Sequence, residues 1–195
     1  MYSKEEWEKA AGESLTFIKE IKKFIPRYSY ADPTHSVATD ENISEYLVIM
    51  LREGKKHLFD TIELLYELQV KGVINRLQKI LDEMDIFSDE VKVKFHKEIS
   101  LSKEWLRKLI MYDLHIIRES ERLNKMITSL ENHIIRSEEI VSEDVRRYSE
   151  EIRRQLGKVV ALFKEREVLS TLEEIDLNRT FSEKQNEIRE RYNVN

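Results

Sequence analysis

The sequence predicts an all-α protein, folded as an elongated antiparallel helical bundle of three long helices and an N-terminal helix. Composition is the first observation, because only 4 glycines and 2 prolines among 195 residues leave little material for turns. Periodicity is the second, because apolar residues recur three and four positions apart over most of the chain, as heptad stripes. No low-complexity segment interrupts this pattern, so we expect a single domain over residues 1–195.

The first helix is expected over residues 3–25. Ser3 and Glu6 have the spacing of a capping box, and apolar residues follow at helical spacing. Pro26 should end this helix, because its ring cannot continue the hydrogen-bonding pattern. The segment 26–39 contains both prolines and is expected to form a loop.

Three long helices are expected after this loop. Each has an apolar heptad stripe and begins near a polar side chain that can cap its N-terminus. The stripe of the first one shifts near Tyr66, which indicates a stutter or a break near Gly72, and we favour one continuous helix. Short gaps at 86–88 and 138–142 should make successive helices antiparallel neighbours. The expected ranges are 40–85, 89–137 and 142–175, followed by a tail over 176–195 with room for a short helix.

Asp113 interrupts the apolar stripe of the second long helix, where its neighbours on the same face cannot pair with it. A buried carboxylate without a partner is costly, so it should find a cation on another helix. Asp113 lies about 26 residues before the turn near 139–140 and Arg166 lies about 26 residues after it, which puts the two level in antiparallel helices. Counting from a turn near 87 puts Thr61 level with Asp113 and His57 one helical turn away.

We therefore expect a buried polar layer with Asp113 at its centre, Arg166 as its ion partner, and His57 or Thr61 completing the hydrogen bonds. Such layers fix register in bundles at some cost in stability, and we interpret this one as structural. A ligand site, a proton relay or a metal site is the alternative. One aspartate and one histidine are fewer than the three ligands of a catalytic metal site, so we expect no metal and no cofactor.

Arg52 and His57 form the spacing R-x4-H within LREGKKHLF. This motif resembles the short signature of HEPN domains, which are all-helical and often act as dimeric ribonucleases. The resemblance implies that His57 handles a proton of the RNA 2′-hydroxyl and that Arg52 holds the phosphate. Five positions along a helix separate two side chains by about 140°, so Gly54 would have to distort the helix.

The charge balance does not indicate a nucleic-acid partner, because the net charge is −5 and leaves room only for a local basic patch. The run RRYSEEIRR, Arg146 to Arg154, is the strongest such run. Glu143 and Arg147, and likewise Glu150 and Arg154, have the favourable i,i+4 order. We therefore interpret the run as a salt-bridged solvent face.

Trp105, Tyr112 and Met126 form a second apolar stripe beside the core seam. If another helix leaves this stripe uncovered, it becomes a surface for a second copy or for another protein. Because no catalytic constellation is evident, the sequence favours a non-enzymatic interaction or scaffold protein that self-associates or docks a protein partner. The alternative is an RNA-linked helical protein, either a HEPN-like ribonuclease or a small helical subunit of a ribonucleoprotein complex.

The sequence also bears on location. The chain contains no cysteine, which is typical of a reducing cytoplasm. No apolar run approaches the ~20 residues that span a bilayer, and the acidic N-terminus is unlike a signal peptide. We expect a cytoplasmic protein without a membrane partner.

Overall fold

A computed structural model describes residues 15–30, 33–94, 96, 98–99, 101–137, 140–171 and 174–194. Within these ranges the protein is all-helical and contains no strand, so the all-α prediction is confirmed. The helices pack against one another as a bundle. They are α1 (Leu15–Ile21), α2 (Pro33–Glu67), α3 (Ile74–Lys92), α4 (Lys103–Arg136), α5 (Ser142–Thr171) and α6 (Glu174–Tyr192), with a 3₁₀ turn at Lys71–Val73.

The helix expected over 40–85 is two helices, α2 and α3. The chain breaks after Glu67, where Gln69 has a left-handed φ of 60°. The N–H of Val70 donates to the carbonyl of Leu65 at 3.0 Å, which is the hydrogen bond of a Schellman motif. Glycine usually occupies this left-handed position. Because the residue here is a glutamine, the sequence does not indicate that the helix ends at this point.

The turn expected at 86–88 is wrong, because α3 continues through it to Lys92. Phe87, Ser88 and Val91 are buried on one face of α3 and hold it in the core. Ser88, at the end of the expected gap, therefore lies inside α3 rather than before a helix. The next helix was expected from residue 89 and begins only at Lys103.

Three further boundaries differ from the expectation. Of the first helix, residues 3–14 lie outside the described part of the chain, and helix is present over Leu15–Ile21. The expected loop 26–39 is shorter, because α2 begins at Pro33, and proline is favourable in a first helical turn. Most of the expected tail is the helix α6, because α5 ends at Thr171 and α6 begins at Glu174. Phe181 and two polar side chains, rather than an apolar stripe, hold α6 against the bundle.

Contacts between α2 and α4 show that these helices run in the same direction. The Tyr46 hydroxyl donates to Glu121 at 3.0 Å, and further along both helices His57 Nδ1 lies 2.8 Å from Glu131 Oε2. Antiparallel packing of the 40–85 and 89–137 segments is therefore wrong for α2. The physical reason is the break after Glu67, which reverses the chain about 20 residues earlier than the turn near 87 that the sequence indicated.

The apolar core consists of two clusters. The larger one runs between α2, α3, α4 and α5. The smaller one combines α1, the segment before α2, the first half of α4 and Phe181 of α6. Two buried polar groups of residues border this smaller cluster, and both include side chains of α5.

Candidate functional site

Arg166 on α5 is the centre of a buried network, with none of its surface exposed. Its Nε donates to Oδ1 of Asp113 on α4, and its Nη1 donates to Oδ1 of Asp40 on α2. Its Nη2 donates to the hydroxyl oxygen of Tyr30 at 3.2 Å. One guanidinium therefore links α2, α4, α5 and the segment that precedes α2.

Two tyrosines complete the hydrogen bonds of Asp113. The hydroxyls of Tyr28 and Tyr30 donate to its Oδ2 at 2.6 Å and 3.2 Å, and their rings meet edge to face at 5.4 Å. Burial, together with the charge of Asp113, raises the pKa of both tyrosines well above the usual value. Burial also raises the pKa of Asp113, while Arg166 acts in the opposite direction. Three donors directed at this carboxyl group match its ionised form.

Asp40 receives two more donors from the segment between α3 and α4. Lys94 Nζ lies 2.9 Å from its Oδ1, and His96 Nδ1 contacts its Oδ2. Burial would raise the pKa of Asp40, but the charges of Arg166 and Lys94 outweigh it and hold that pKa well below the usual range. Burial lowers the pKa of Lys94. The network thus sets two cations against two carboxylates in the interior.

The structure brings together Asp113 and Arg166, the pair that the α4–α5 hairpin predicted, but it places His57 and Thr61 elsewhere. His57 contacts Glu131, and the hydroxyl of Thr61 donates to the carbonyl of His57 at 2.7 Å. The inclusion of these two residues in the layer is wrong, because it assumed that α2 and α4 run antiparallel.

The parallel register explains why Asp40 takes their place. Contacts between α2 and α4 join residues 74 or 75 positions apart. That offset leads from Asp113 to the start of α2, where Asp40 lies. The heptad pattern placed none of Asp40, Tyr28, Tyr30 and Lys94 in the layer. A carboxylate at the start of an apolar stripe was the available signal for Asp40.

A second site lies where α6 crosses α4 and α5. Trp105 and Tyr112 are buried there, and both rings contact Phe181 edge to face, at centroid distances of 5.4 Å and 6.5 Å. The Nζ of Lys108 lies 3.9 Å from the centre of the Trp105 ring. The prediction of an open partner surface at Trp105 and Tyr112 is therefore corrected, because α6 covers both. Met126 packs against the larger cluster instead.

Glu165 of α5 is the polar half of this second site and is only 2% exposed. Gln185 Nε2 donates to its Oε2 at 2.8 Å, and Arg189 Nε donates to its Oε1 at 2.9 Å. The Tyr112 hydroxyl also donates to Glu165, and burial with this hydrogen bond raises the pKa of Tyr112. We call Trp105, Tyr112 and Glu165 the helix groove.

The side of α6 that enters the helix groove has a simple pattern. Phe181, Gln185 and Arg189 are spaced four residues apart, so they share one face of the helix. The aromatic side chain enters the ring slot, and the two polar side chains bind the carboxylate. The sequence reading missed this pattern because apolar residues are sparse in that segment.

Arg52 and His57 do not form a pair in the structure. α2 is one continuous helix through Gly54, Arg52 is exposed, and His57 contacts Glu131. A Cβ on Gly54 would lie 2.5 Å from Asn124 Oδ1, so this glycine permits the close approach of α2 and α4. The distortion that the HEPN-like arrangement needs is absent from this part of the helix.

The arginine run on α5 is paired with acids, although with different partners from those predicted. Glu150 pairs with Arg146 rather than with Arg154, and Arg147 pairs with Asp144 rather than with Glu143. Arg153 reaches across to Glu83 on α3 at 2.6 Å. These exposed pairs leave fewer free cations for a phosphate backbone.

Two open grooves lie elsewhere on the described surface. One of about 770 Å³ lies between α3, α5 and the end of α6, and Ile86 at its edge is 63% exposed. The other, of about 570 Å³, lies between α2 and α4 beside His57. The residues that line these two grooves include no buried charged side chain comparable with Glu165.

Comparison with known proteins gives no match, whether to family models, to curated proteins or to solved structures. Among the described residues, no group of three or more histidine, aspartate and glutamate side chains is arranged to hold a metal ion. No helix in the described ranges is long and apolar enough to cross a membrane.

Proposed function

We propose that this protein is a non-enzymatic interaction module that binds an amphipathic helix of a protein partner in the helix groove. The observation that carries the proposal is how α6 fills this groove. A single aromatic side chain, Phe181, enters the slot between Trp105 and Tyr112. Two polar side chains then bind the buried carboxylate of Glu165. These are the features of helix-in-groove recognition, in which a few anchors on one helical face carry the binding.

The attachment of α6 supports exchange for another helix. Among the side chains described between residues 180 and 194, Phe181 is the buried apolar one. The side chain of Arg189 stays 44% exposed while it binds Glu165. With one buried apolar side chain among those described, the segment 180–194 contributes a small docking free energy, so it belongs to the easily opened part of the fold.

The groove also offers selectivity. A helix that lacks donors opposite Glu165 would leave a carboxylate buried and unpaired, which costs free energy. A helix without an aromatic residue would leave the slot empty. The preferred partner therefore presents an aromatic residue followed by hydrogen-bond donors four and eight positions later.

The decisive experiment measures binding of a labelled peptide with the sequence of residues 174–195. Phe181→Ala in the full-length protein weakens the intramolecular helix and leaves the groove intact. We expect the peptide to bind this variant at least tenfold more tightly than wild type, because the competing helix is weakened. Lys184→Ala, on the solvent side of α6 with 55% of its side chain exposed, is the matched control and should bind like wild type.

A peptide in which alanine replaces the phenylalanine should not bind either protein. If the unmodified peptide fails to bind the Phe181→Ala variant, the helix groove is not a docking site. Equal binding by wild type and both variants would place the peptide elsewhere on the surface and would also contradict the proposal.

A further inference from the structure

We infer that the helix that enters the helix groove from outside is α6 of a second copy, so that two chains exchange this helix reciprocally. This inference rests on the proposed function, because the groove must accept a helix from another molecule. It adds the identity of the partner. The exchanged dimer would contain two complete helix grooves, each built from two chains.

Complementarity is the first argument. α6 already carries Phe181, Gln185 and Arg189 in the positions that the groove reads. Exchange retains each of these contacts and changes only the chain that supplies them. Exchange requires no new interface, so the population of the dimer depends on protein concentration.

The length of the match is the second argument. α6 continues along α5 beyond the helix groove, because a Cβ on Gly157 would meet the carbonyl oxygen of Tyr192 at 3.3 Å. Asn193 ends the helix with a left-handed φ of 51°, and the N–H of Val194 donates to the carbonyl of Arg189 at 3.0 Å. The surface of α5 therefore accommodates a helix that is as long as α6 and ends as α6 ends.

The connection is the third argument. α5 has 30 residues and ends at Thr171, and α6 has 19 residues and begins at Glu174. Only two residues join two helices that lie antiparallel. Antiparallel helices that follow each other so closely in the sequence favour domain exchange, because in the exchanged form the chain no longer has to reverse within two residues.

Charge reversal tests the inference in full-length chains. Glu165→Arg puts an arginine opposite Arg189, and Arg189→Glu puts a glutamate opposite Glu165. Each variant alone is mismatched, both as a monomer and as a dimer with itself. In a mixture, reciprocal exchange of α6 restores opposite charges in both grooves. No arrangement without exchange does so.

We expect each variant alone to remain at the monomer mass of 23.4 kDa in light scattering. The equimolar mixture should contain at least tenfold more dimer than either variant alone. The double variant, Glu165→Arg with Arg189→Glu in one chain, should fold as a monomer because its own groove is matched. Lys184→Glu mixed with Glu165→Arg is the matched control and should give no dimer.

A mixture that stays monomeric while the double variant folds would overturn the inference. Peptide binding by Phe181→Ala would then leave the proposed function standing, so the two failures are distinguishable. Wild type supplies a test without charge reversal, in which isotope-labelled and unlabelled chains are incubated together at high concentration. Mixed-mass dimers in native mass spectrometry, lost in Phe181→Ala, support exchange. Their absence from wild type overturns it.

Discussion

Glu165 and Arg166 are adjacent on α5, and both are almost completely buried, but they belong to regions that differ in kind. The partners of Arg166 come from α2, α4 and the segment before α2, so they are distributed over the bundle. The donors to Glu165 include Gln185 and Arg189, which both belong to the last helix. The first region can open only when the bundle opens, whereas the second opens when one helix leaves.

The difference teaches that burial of a charge does not by itself indicate permanence. Arg166 loses its partners only at the cost of leaving two carboxylates in a low-dielectric interior. Glu165 becomes hydrated as soon as α6 departs, so its release carries no such penalty. The number of separate elements that supply partners decides between these two outcomes.

The largest expected effect comes from Arg166→Met. The variant leaves Asp113 and Asp40 buried without their shared cation, so we expect a loss of about 3–5 kcal/mol in the free energy of unfolding. Urea denaturation followed by circular dichroism measures it. Arg189→Met is the matched control and should cost less than about 1 kcal/mol, because that guanidinium is partly solvated and Tyr112 and Gln185 still donate to Glu165. Equal losses would erase the distinction between the two regions.

Phe181→Ala should affect the second region alone. Undocking of α6 is expected to speed hydrogen exchange of its amides by up to about a hundredfold, while the protection of α4 amides is unchanged. Phe163→Ala is the control, because Phe163 is fully buried beside Phe87 in the larger cluster. That variant should lower protection throughout the bundle. A uniform loss in Phe181→Ala would contradict independent opening of α6.

Alkaline titration should separate the two regions by their tyrosines. The folded pKa values of Tyr28, Tyr30 and Tyr112 are raised. Their stabilisation is therefore complete below the unfolded pKa of about 10 and is lost as pH rises, by up to about 1.4 kcal/mol per pH unit for each tyrosine. The chain has eight tyrosines, so single Tyr→Phe variants are needed to isolate each contribution to the absorbance at tyrosinate wavelengths. The step missing from Tyr112→Phe should lie at lower pH than the steps missing from Tyr28→Phe and Tyr30→Phe, and coincident steps would refute the order.

Arg189→Gln is expected to have the smallest effect. Its ion pair with Glu165 is partly exposed, so solvent screening reduces the expected loss in docking of α6 to about 0.5–1 kcal/mol. Hydrogen exchange of α6 at low and high salt measures it, and salt should narrow the difference from wild type. Lys184→Gln on the same helix should exchange like wild type. A salt-independent effect would point to packing rather than charge.

The sequence sufficed for the helical class and for one half of the network. Asp113 and Arg166 could be paired because α4 and α5 form a hairpin with one turn, and counting outward from that turn aligns them. The same counting failed for α2, because the left-handed residue after the helix is Gln69. Glycine is the usual residue at that position, and a glycine there would have marked the helix end in the sequence. The shift of the apolar stripe near Tyr66 was the visible trace of this break.

Other parts of the sites depend on contacts that no periodicity encodes. Lys94 and His96 reach Asp40 from a non-helical segment, where spacing does not predict direction. Phe181 is one apolar residue in a polar helix, so its burial follows from the slot that receives it. The four-residue spacing of Phe181, Gln185 and Arg189 was present in the sequence, but it identifies a face only when a partner for that face is known.

The adjacency of Glu165 and Arg166 also bears on how the chain chooses one fold among near-equivalent ones. A helix with heptad patterning can rotate about its axis and still bury apolar side chains, and one residue corresponds to about 100° of rotation. A rotation of α5 in one direction would carry Glu165 towards Asp40 and Asp113, and a rotation in the opposite direction would carry Arg166 towards Arg189. Like charges would therefore meet whichever way α5 rotates. We expect this dipeptide to destabilise bundles in which α5 is rotated, and so to favour the native packing during folding.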